Sequence, residues 1–124
     1  MAGEKTALQG LRVLLVEDDV FLMMGLQDMV TGFGCIVAGT AMTVRKAVVL
    51  AGELPLDLAI LDINLQGELV TPVAEALAGR GVPFIFASGY DAELAAALAA
   101  RPRVAKPYRK QQIFDALSQL MATT

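Results

Sequence analysis

Short apolar runs alternate along the chain with stretches in which apolar residues recur at helical spacing. The runs at 12–16, 35–40, 56–61, 83–87 and 103–105 predict five strands. The run at 56–61 is almost continuously apolar, which favours a parallel strand covered by helices on both faces. Five such alternations predict an α/β fold with a doubly wound parallel sheet. We expect a single domain over 1–124, with 1–10 as a flexible N-terminal segment.

Helices are predicted between the strands, and residues typical of helix ends mark several of them. The first helix is predicted over 20–31, followed by Gly32 and Gly34, because glycine adopts positive φ without a steric penalty. In the third helix, Thr71 is predicted as the N-cap and Pro72 as a first-turn residue. The starts of the five predicted helices are Val20, Thr43, Thr71, Asp91 and Arg109.

The composition excludes several classes of protein. No apolar run among the 124 residues approaches the roughly 18 needed to cross a membrane, and no secretory signal is visible, so we expect a cytoplasmic protein. The chain has no histidine, which excludes Ser-His and Cys-His nucleophiles and His-ligated zinc. Cys35 is the only cysteine, so it cannot form an intrachain disulfide, and its apolar neighbours predict a buried hydrophobic residue.

The charge of the chain bears on its partners. A net charge of −3 argues against a general binder of nucleic acid or anionic membranes, which depends on clustered positive charge. Half of the basic residues nevertheless lie close together near the C-terminus. This cluster is either a solvated loop and helix start or a face that docks a protein partner. Its members are Arg101, Arg103, Lys106, Arg109 and Lys110.

Acidic residues follow the first and third predicted strands. Glu17, Asp18 and Asp19 come directly after the first strand, and Asp62 comes directly after the third. If these strands are neighbours, the carboxylates converge and repel by about 4 kcal/mol per pair at 4 Å for an effective dielectric of 20. A bound cation relieves this repulsion, and a set of oxygen ligands favours Mg²⁺ over zinc. For Asp19 we prefer another role, the N-cap of the first helix.

The ends of the fourth and fifth strands add complementary groups. Ser88 and Gly89 place a hydroxyl next to a residue without a side chain, and Lys106 supplies a positive charge just before Pro107. A phosphoryl group attached to a carboxylate needs such a fixed positive charge. An acidic pocket with one hydroxyl and one ammonium group therefore predicts phosphoryl transfer.

Four segments carry a resemblance to a known family. They are VLLVEDD, LDLAILDINL, PFIFASGYD and AKPY, in order from the first strand to the fifth. With them the chain resembles the response-regulator receiver domains from residue 12 to residue 121. The resemblance implies a flavodoxin-like fold with strand order 2-1-3-4-5. It also implies a protein that is not an enzyme but promotes its own phosphorylation and dephosphorylation.

The resemblance implies a role for each matching residue. Asp62 matches the phosphoacceptor, and Lys106 matches the lysine that neutralises the phosphoryl group. Ser88 matches the switch hydroxyl. Mg²⁺ or Mn²⁺ would be held by Asp18 directly, by Glu17 through water, by Asp62 and by the backbone carbonyl of Asn64. Gly89 matches the small residue that admits the phosphodonor.

The segment FASGY, with NLQGE and PVAEAL, is similar to the FATGUY subgroup of alphaproteobacterial receivers. These are often single-domain proteins, and the likeness implies a sensor histidine kinase as partner, of the HWE or a related type. A histidine phosphotransferase or a downstream protein target is a further implied partner. Neither nucleic acid nor membrane is expected.

Two features depart from the general receiver pattern. Arg103 stands three positions before Lys106, where receivers carry an aromatic switch residue. Ser88 and Lys106 are only 18 positions apart, so the fourth helix must be short, and Arg101-Pro102 ends it early. We hypothesise that Tyr90 supplies the missing aromatic group, the alternative being that it only packs over its loop. Arg103 is an alternative contact for the phosphoryl group or for an acidic group of a partner.

Other functions stay open at this point. The chain is either a signalling protein that contacts a target after phosphorylation or a sink that drains phosphoryl groups from a shared kinase. A phosphorylation-independent interaction module is a second class, but Asp62, Lys106 and the acidic pair are all present. An α/β hydrolase or dinucleotide enzyme is a third class, which the missing glycine-rich loop and histidine disfavour.

Overall fold

The almost continuously apolar run after Asp57 forms the middle strand of a parallel sheet. The structure is a computed structural model that describes residues 7–88 and 103–122, without the side chain of Ser88. Within these residues the sheet has five strands, in the order β2-β1-β3-β6-β7. They are β1 (Arg12–Val16), β2 (Ile36–Ala41), β3 (Leu58–Leu61), β6 (Phe84–Ser88) and β7 (Arg103–Ala105).

The predicted strand order 2-1-3-4-5 is confirmed, because the two remaining strands lie outside this sheet. β4 (Asn64–Leu65) and β5 (Glu68–Leu69) pair antiparallel with each other in a small hairpin between the third strand and the following helix. The five-stranded sheet is parallel at each of its four pairings.

Helices cover both faces of the sheet, as predicted. The four helices in the described part of the chain are α1 (Val20–Gly32), α2 (Val44–Glu53), α3 (Thr71–Gly79) and α4 (Lys110–Ala122). Successive strand side chains point to opposite faces, so each strand contributes to two cores. One core lies under α2 and α3 and contains Leu14, Leu61 and Phe84. The other lies under α1 and α4 and contains Leu15, Ile60 and Ile85.

Side-chain caps begin two of the helices. Asp19 Oδ1 accepts hydrogen bonds from the N–H groups of Phe21 at 2.9 Å and Leu22 at 3.0 Å, which confirms Asp19 as the N-cap of α1. Thr43 Oγ1 accepts from the Lys46 N–H at 3.2 Å at the start of α2.

The predicted cap of the third helix is wrong. Thr71 is the first residue of α3, and the residue before it, Val70, makes no side-chain capping bond. Pro72 nevertheless lies in the first turn, where its missing N–H costs no intrahelical bond. The helix start is fixed instead by the burial of Val70, which is fully excluded from solvent in the core under α2 and α3.

Within residues 7–10, Leu8 packs into the core and the other three residues are exposed. The expectation of a flexible segment over 1–10 stays a prediction. Leu8 is fully buried, and its carbonyl accepts a hydrogen bond from Cys35 Sγ at 3.3 Å. The Gly10 N–H donates to the carbonyl of Gly34 at 2.8 Å. Burial raises the pKa of the Cys35 thiol to about 11, so this cysteine is the buried hydrophobic residue that its neighbours predicted.

Several predicted features lie outside the described residues. They are the short helix predicted to begin near Asp91, which is not α4, its predicted end at Arg101-Pro102, and the two residues Gly89 and Tyr90. In the part of the chain that is described, no helix is both long and apolar enough to cross a membrane.

The hairpin turn between β4 and β5 gives a test of backbone strain. Gly67 has a φ of 89°, and an added Cβ there would contact nothing within 4 Å. We therefore expect Gly67→Ala to lower the free energy of unfolding by about 1 kcal/mol through backbone strain alone. Gly25→Ala is the matched control, because Gly25 lies inside α1 with the same open space around it. This variant is expected to gain roughly 1 kcal/mol, and urea unfolding that gave both variants the same sign would contradict the account.

Candidate functional site

The pairing of β1 with β3 brings the predicted acidic residues together. Val16 pairs with Leu61 in the parallel register, so the residues that follow them, Glu17 and Asp62, leave the sheet side by side. The Asp62 N–H donates to the Val16 carbonyl at 2.8 Å, which extends the pairing to the acid itself. Carboxylate oxygens of Glu17, Asp18 and Asp62 all lie within 4.8 Å of one another. The predicted convergence of the acids is therefore present in the structure.

Lys106 joins two of these acids from the edge of the sheet. Its Nζ lies 2.8 Å from Glu17 Oε1 and 3.2 Å from Asp62 Oδ2. Lys106 directly follows Ala105, the last residue of β7, so strand pairing delivers the ammonium group to the same edge as the carboxylates. Glu17 is fully buried and Asp62 is 6% exposed, so water screens these contacts only weakly.

Burial and mutual charge shift the pKa values of all three groups. Burial raises the pKa of Glu17 to about 7, although Lys106 and the Asp19 N–H favour the charged form. The pKa of Asp62 is also raised, chiefly by burial, and the nearby Lys106 opposes this. Burial alone would lower the pKa of Lys106, but its contacts with Glu17 and Asp62 outweigh burial and raise it. The pocket thus holds negative charge at a cost in free energy.

Backbone donors hold Asp18 and Glu17. The Gln66 N–H donates to Asp18 Oδ2 at 2.8 Å across the turn of the hairpin. The Asp19 N–H donates to Glu17 Oε2 at 3.1 Å, while the side chain of Asp19 caps α1. Asp19 is therefore part of the helix start, and Asp18 is the partly exposed carboxylate of the group.

The donor set fits a hard divalent cation. Mg²⁺ binds oxygens at about 2.1 Å, so its ligands lie up to roughly 4.2 Å apart, close to the spacing of the three carboxylates. Both oxygens of Glu17 have polar neighbours, Lys106 Nζ at 2.8 Å and the Asp19 N–H at 3.1 Å. Which of the acids contacts the cation directly and which contacts it through water stays a prediction.

The remaining predicted site residues differ in how far the structure places them. Ser88 pairs with Ala105, so its backbone ends at the same edge as Lys106. Asn64 lies in β4, and its side-chain Oδ1 accepts from the Gly67 N–H at 2.8 Å, which leaves the backbone carbonyl as its candidate ligand. Their predicted roles stay predictions. So do the roles of Gly89 and Tyr90, which lie outside the described residues.

Arg103 is not brought to the acidic pocket. It is exposed and pairs with Phe86 at the start of β7, two positions short of the Ser88 pairing. The side chain that departs from the receiver pattern therefore faces solvent. A contact with an acidic group of a partner stays a prediction for Arg103.

Two residues that contribute to the site were missed by the sequence reasoning. Gln66 has a φ of 53° and uses its backbone N–H to orient Asp18, which only the Gln66-Gly67 turn pair could have suggested. Tyr108 lies two positions after Lys106 with a buried hydroxyl, and its pKa is raised by burial and by the charges of Glu17 and Asp62. No pattern in the sequence signals this second residue.

The family can now be tested by comparison. Residues 13–118 match the family model described as the response regulator receiver domain. The chain belongs to this family. It is 28% identical over 117 residues to the chemotaxis protein CheY of Thermotoga maritima, covering 90% of this chain and 98% of that protein.

Two solved receivers are similar in structure. The solution structure of SdrG from Sphingomonas melonis Fr1 has a TM-score of 0.77 and 37% identity, covering 94% of this chain and 98% of that one. The receiver domain of the PhyR response regulator from Erythrobacter litoralis has a TM-score of 0.83 and 29% identity. It covers 94% of this chain and 93% of the PhyR domain. The flavodoxin-like receiver fold is thereby confirmed.

The raised pKa of Glu17 gives a pH test in the absence of metal. Its folded-state pKa of about 7 exceeds its ordinary value of 4.5, so the folded protein binds this proton more tightly than the unfolded chain does. Stability is therefore expected to fall as pH rises from about 4.5 to about 7, by on the order of 1 to 3 kcal/mol from this group. Urea unfolding in a chelator measures this, with Glu17→Gln as reference. Equal pH dependence in both proteins would contradict the prediction.

Proposed function

We propose that this receiver is a single-domain response regulator that accepts a phosphoryl group on Asp62 from a phosphohistidine. The observation that carries the proposal is the position of Lys106, whose Nζ lies 3.2 Å from Asp62 Oδ2 and 2.8 Å from Glu17 Oε1. An ammonium group at that point neutralises charge on a phosphoryl group attached to Asp62. A purely structural ion pair would need only one of the two carboxylates.

The side chains divide the work of phosphoryl transfer between them. An Asp62 oxygen attacks phosphorus, so a P–O bond forms while the P–N bond of the donor histidine breaks and the imidazole leaves. Lys106 stabilises the charge that spreads over the phosphoryl oxygens in the transition state. The protein promotes the transfer mainly by positioning the groups and by stabilising charge. Because the acceptor is its own Asp62, the protein is the substrate and not an enzyme with turnover on other molecules.

A divalent cation, Mg²⁺ or Mn²⁺, supplies further neutralisation of the phosphoryl oxygens when it is bound. Asp18, Asp62 and the carbonyl of Asn64 would hold it, and Glu17 would contact it through water. The Gln66 N–H keeps Asp18 oriented, and Lys106 keeps Glu17 and Asp62 in place. The positive charge of the cation would offset the desolvation and the mutual repulsion of these buried carboxylates.

The phosphodonor is proposed to dock on the start of α1, beside the acidic pocket. Phe21 is 83% exposed, and Val20 and Met24 are 54% and 55% exposed, which forms an apolar patch within one helical turn. Asp19 caps this turn, so the patch lies next to the acids that follow β1. A sensor histidine kinase of the HWE or a related type, or a histidine phosphotransferase, is the proposed partner.

The output is proposed to begin at the β6 and β7 edge. The Ser88 hydroxyl would bind the phosphoryl group and move toward it. The pairing of Ser88 with Ala105 supports this, because it links Ser88 to the strand that Lys106 follows. The moved surface would contact a target protein. A phosphate sink for a shared kinase is the second candidate role.

The central test is the covalent modification itself. Incubation with acetyl phosphate and Mg²⁺ should add the mass of one phosphoryl group to the wild-type protein and none to Asp62→Asn. Lys106→Met is expected to slow the modification by at least tenfold, because an uncompensated phosphoryl charge is left in a buried pocket. Intact mass spectrometry measures both. An adduct on Asp62→Asn, or on neither protein, would reject the proposal.

A second test separates docking from chemistry. Phe21→Ala should slow phosphoryl transfer from a phosphorylated kinase domain by roughly tenfold, since exposed aromatic anchors often contribute 1 to 2 kcal/mol. Transfer from acetyl phosphate should be unchanged, because the Phe21 side chain is exposed and its contact with Asp19 is made by the backbone N–H, which the substitution retains. Val49→Ala is the matched control, as Val49 is a 49% exposed apolar residue on α2. Equal slowing by both variants would argue against the patch.

A further inference from the structure

Tyr108 has a buried hydroxyl to which no described residue forms a hydrogen bond. Its oxygen is excluded from solvent and has no hydrogen-bond partner among the residues that the structure describes. The aromatic ring packs against the core under α1 and α4. A phenylalanine would fill that space equally well without burying an unpaired polar atom, which proteins usually avoid.

The surroundings of this hydroxyl point to the acidic pocket. Burial, and then the negative charges of Glu17, Asp62 and Asp19, raise the pKa of Tyr108. The hydroxyl therefore stays protonated and is available as a hydrogen-bond donor, with these carboxylates among its charged neighbours. Tyr108 is also two residues from Lys106, so the same chain segment carries both groups.

A direct hydrogen bond to these acids is absent from the described contacts, so any contact between the hydroxyl and the pocket has to pass through an intervening oxygen. Water bridges of this kind are nearly as favourable as direct hydrogen bonds once the water is held by other ligands. A magnesium ion bound by few protein ligands retains several such waters.

We propose that Tyr108 is a positioning residue of the acidic pocket, whose hydroxyl donates to a water that becomes ordered only when a divalent cation is bound beside Glu17 and Asp62. The inference rests on the proposed function, because it needs the cation site. In the cation-free protein the hydroxyl is an unpaired buried group, and in the loaded protein it is satisfied. Its contribution therefore appears in cation binding and not in folding.

The test compares the wild-type protein with Tyr108→Phe. Titration with MgCl₂, followed by ¹H–¹⁵N NMR, should give a dissociation constant about two- to tenfold higher for the variant, the loss of one ordinary hydrogen bond. In a chelator, the urea midpoint of the variant should be equal to that of the wild type or higher. A lower midpoint would mean that the hydroxyl already has a partner in the cation-free protein, which overturns the proposal.

Two further variants separate the hydroxyl from the ring and from the ion. In an Asp18→Asn background, where a ligand of the cation is removed, Tyr108→Phe should change the urea midpoint by the same amount with and without MgCl₂. Tyr108→Leu should lower the urea midpoint under both conditions, because it removes ring packing. As a measurement that needs no variant at this position, the Tyr108 ¹³Cζ resonance should shift on addition of MgCl₂ to the wild type, and no shift would overturn the proposal.

The outcomes for the ion and for Tyr108 are distinguishable. If the wild type does not bind Mg²⁺, the proposed function and the inference fail together. If the wild type binds Mg²⁺ and Tyr108→Phe binds it equally well, the inference alone fails.

Discussion

Three carboxylates and one ammonium group share a mostly buried pocket, and the balance of their charges is the constraint on which the rest of the site depends. Like charges at such spacing repel by about 4 kcal/mol per pair at an effective dielectric of 20, and burial adds a desolvation penalty. Lys106 offsets part of this cost through contacts of 2.8 Å and 3.2 Å with two of the acids. The raised pKa values of Glu17 and Asp62 show that the offset is incomplete.

An incompletely neutralised pocket is well suited to binding and to switching. Under the proposed function, a bound cation would complete the neutralisation, and a phosphoryl group on Asp62 would compete with Glu17 for Lys106. Because Lys106 follows the short strand β7, any change in its contacts acts on a strand held to the sheet by one neighbour, β6. The charge of the pocket is thereby connected to the edge strand of the sheet.

The buried sheet and the helices that cover it hold the acids of the pocket close together despite their repulsion. All four residues of β3 are buried, and helices cover both faces of the sheet, so strand register fixes where each acid emerges. The hairpin of β4 and β5 adds a backbone donor that orients Asp18, at the expense of a positive φ at Gln66. The same helix start that Asp19 caps presents Phe21 to solvent, so the acidic pocket and the apolar patch are joined by one turn of chain.

The sequence by itself determined the fold class, the strand order through its family resemblance, and the identity of the acids and of Lys106. The fold class, the acids and Lys106 follow from periodicity and from residues at strand ends, which are local properties of the chain, whereas the strand order is what the resemblance implies. Only the tertiary structure decided that α3 begins at Thr71, after the buried Val70, and that Leu8 is buried. It also decided that the Gln66 N–H orients Asp18, that Arg103 is exposed and that the hydroxyl of Tyr108 is buried. Each of these depends on what packs against a residue from a distant part of the chain. Neither propensity nor spacing contains that information.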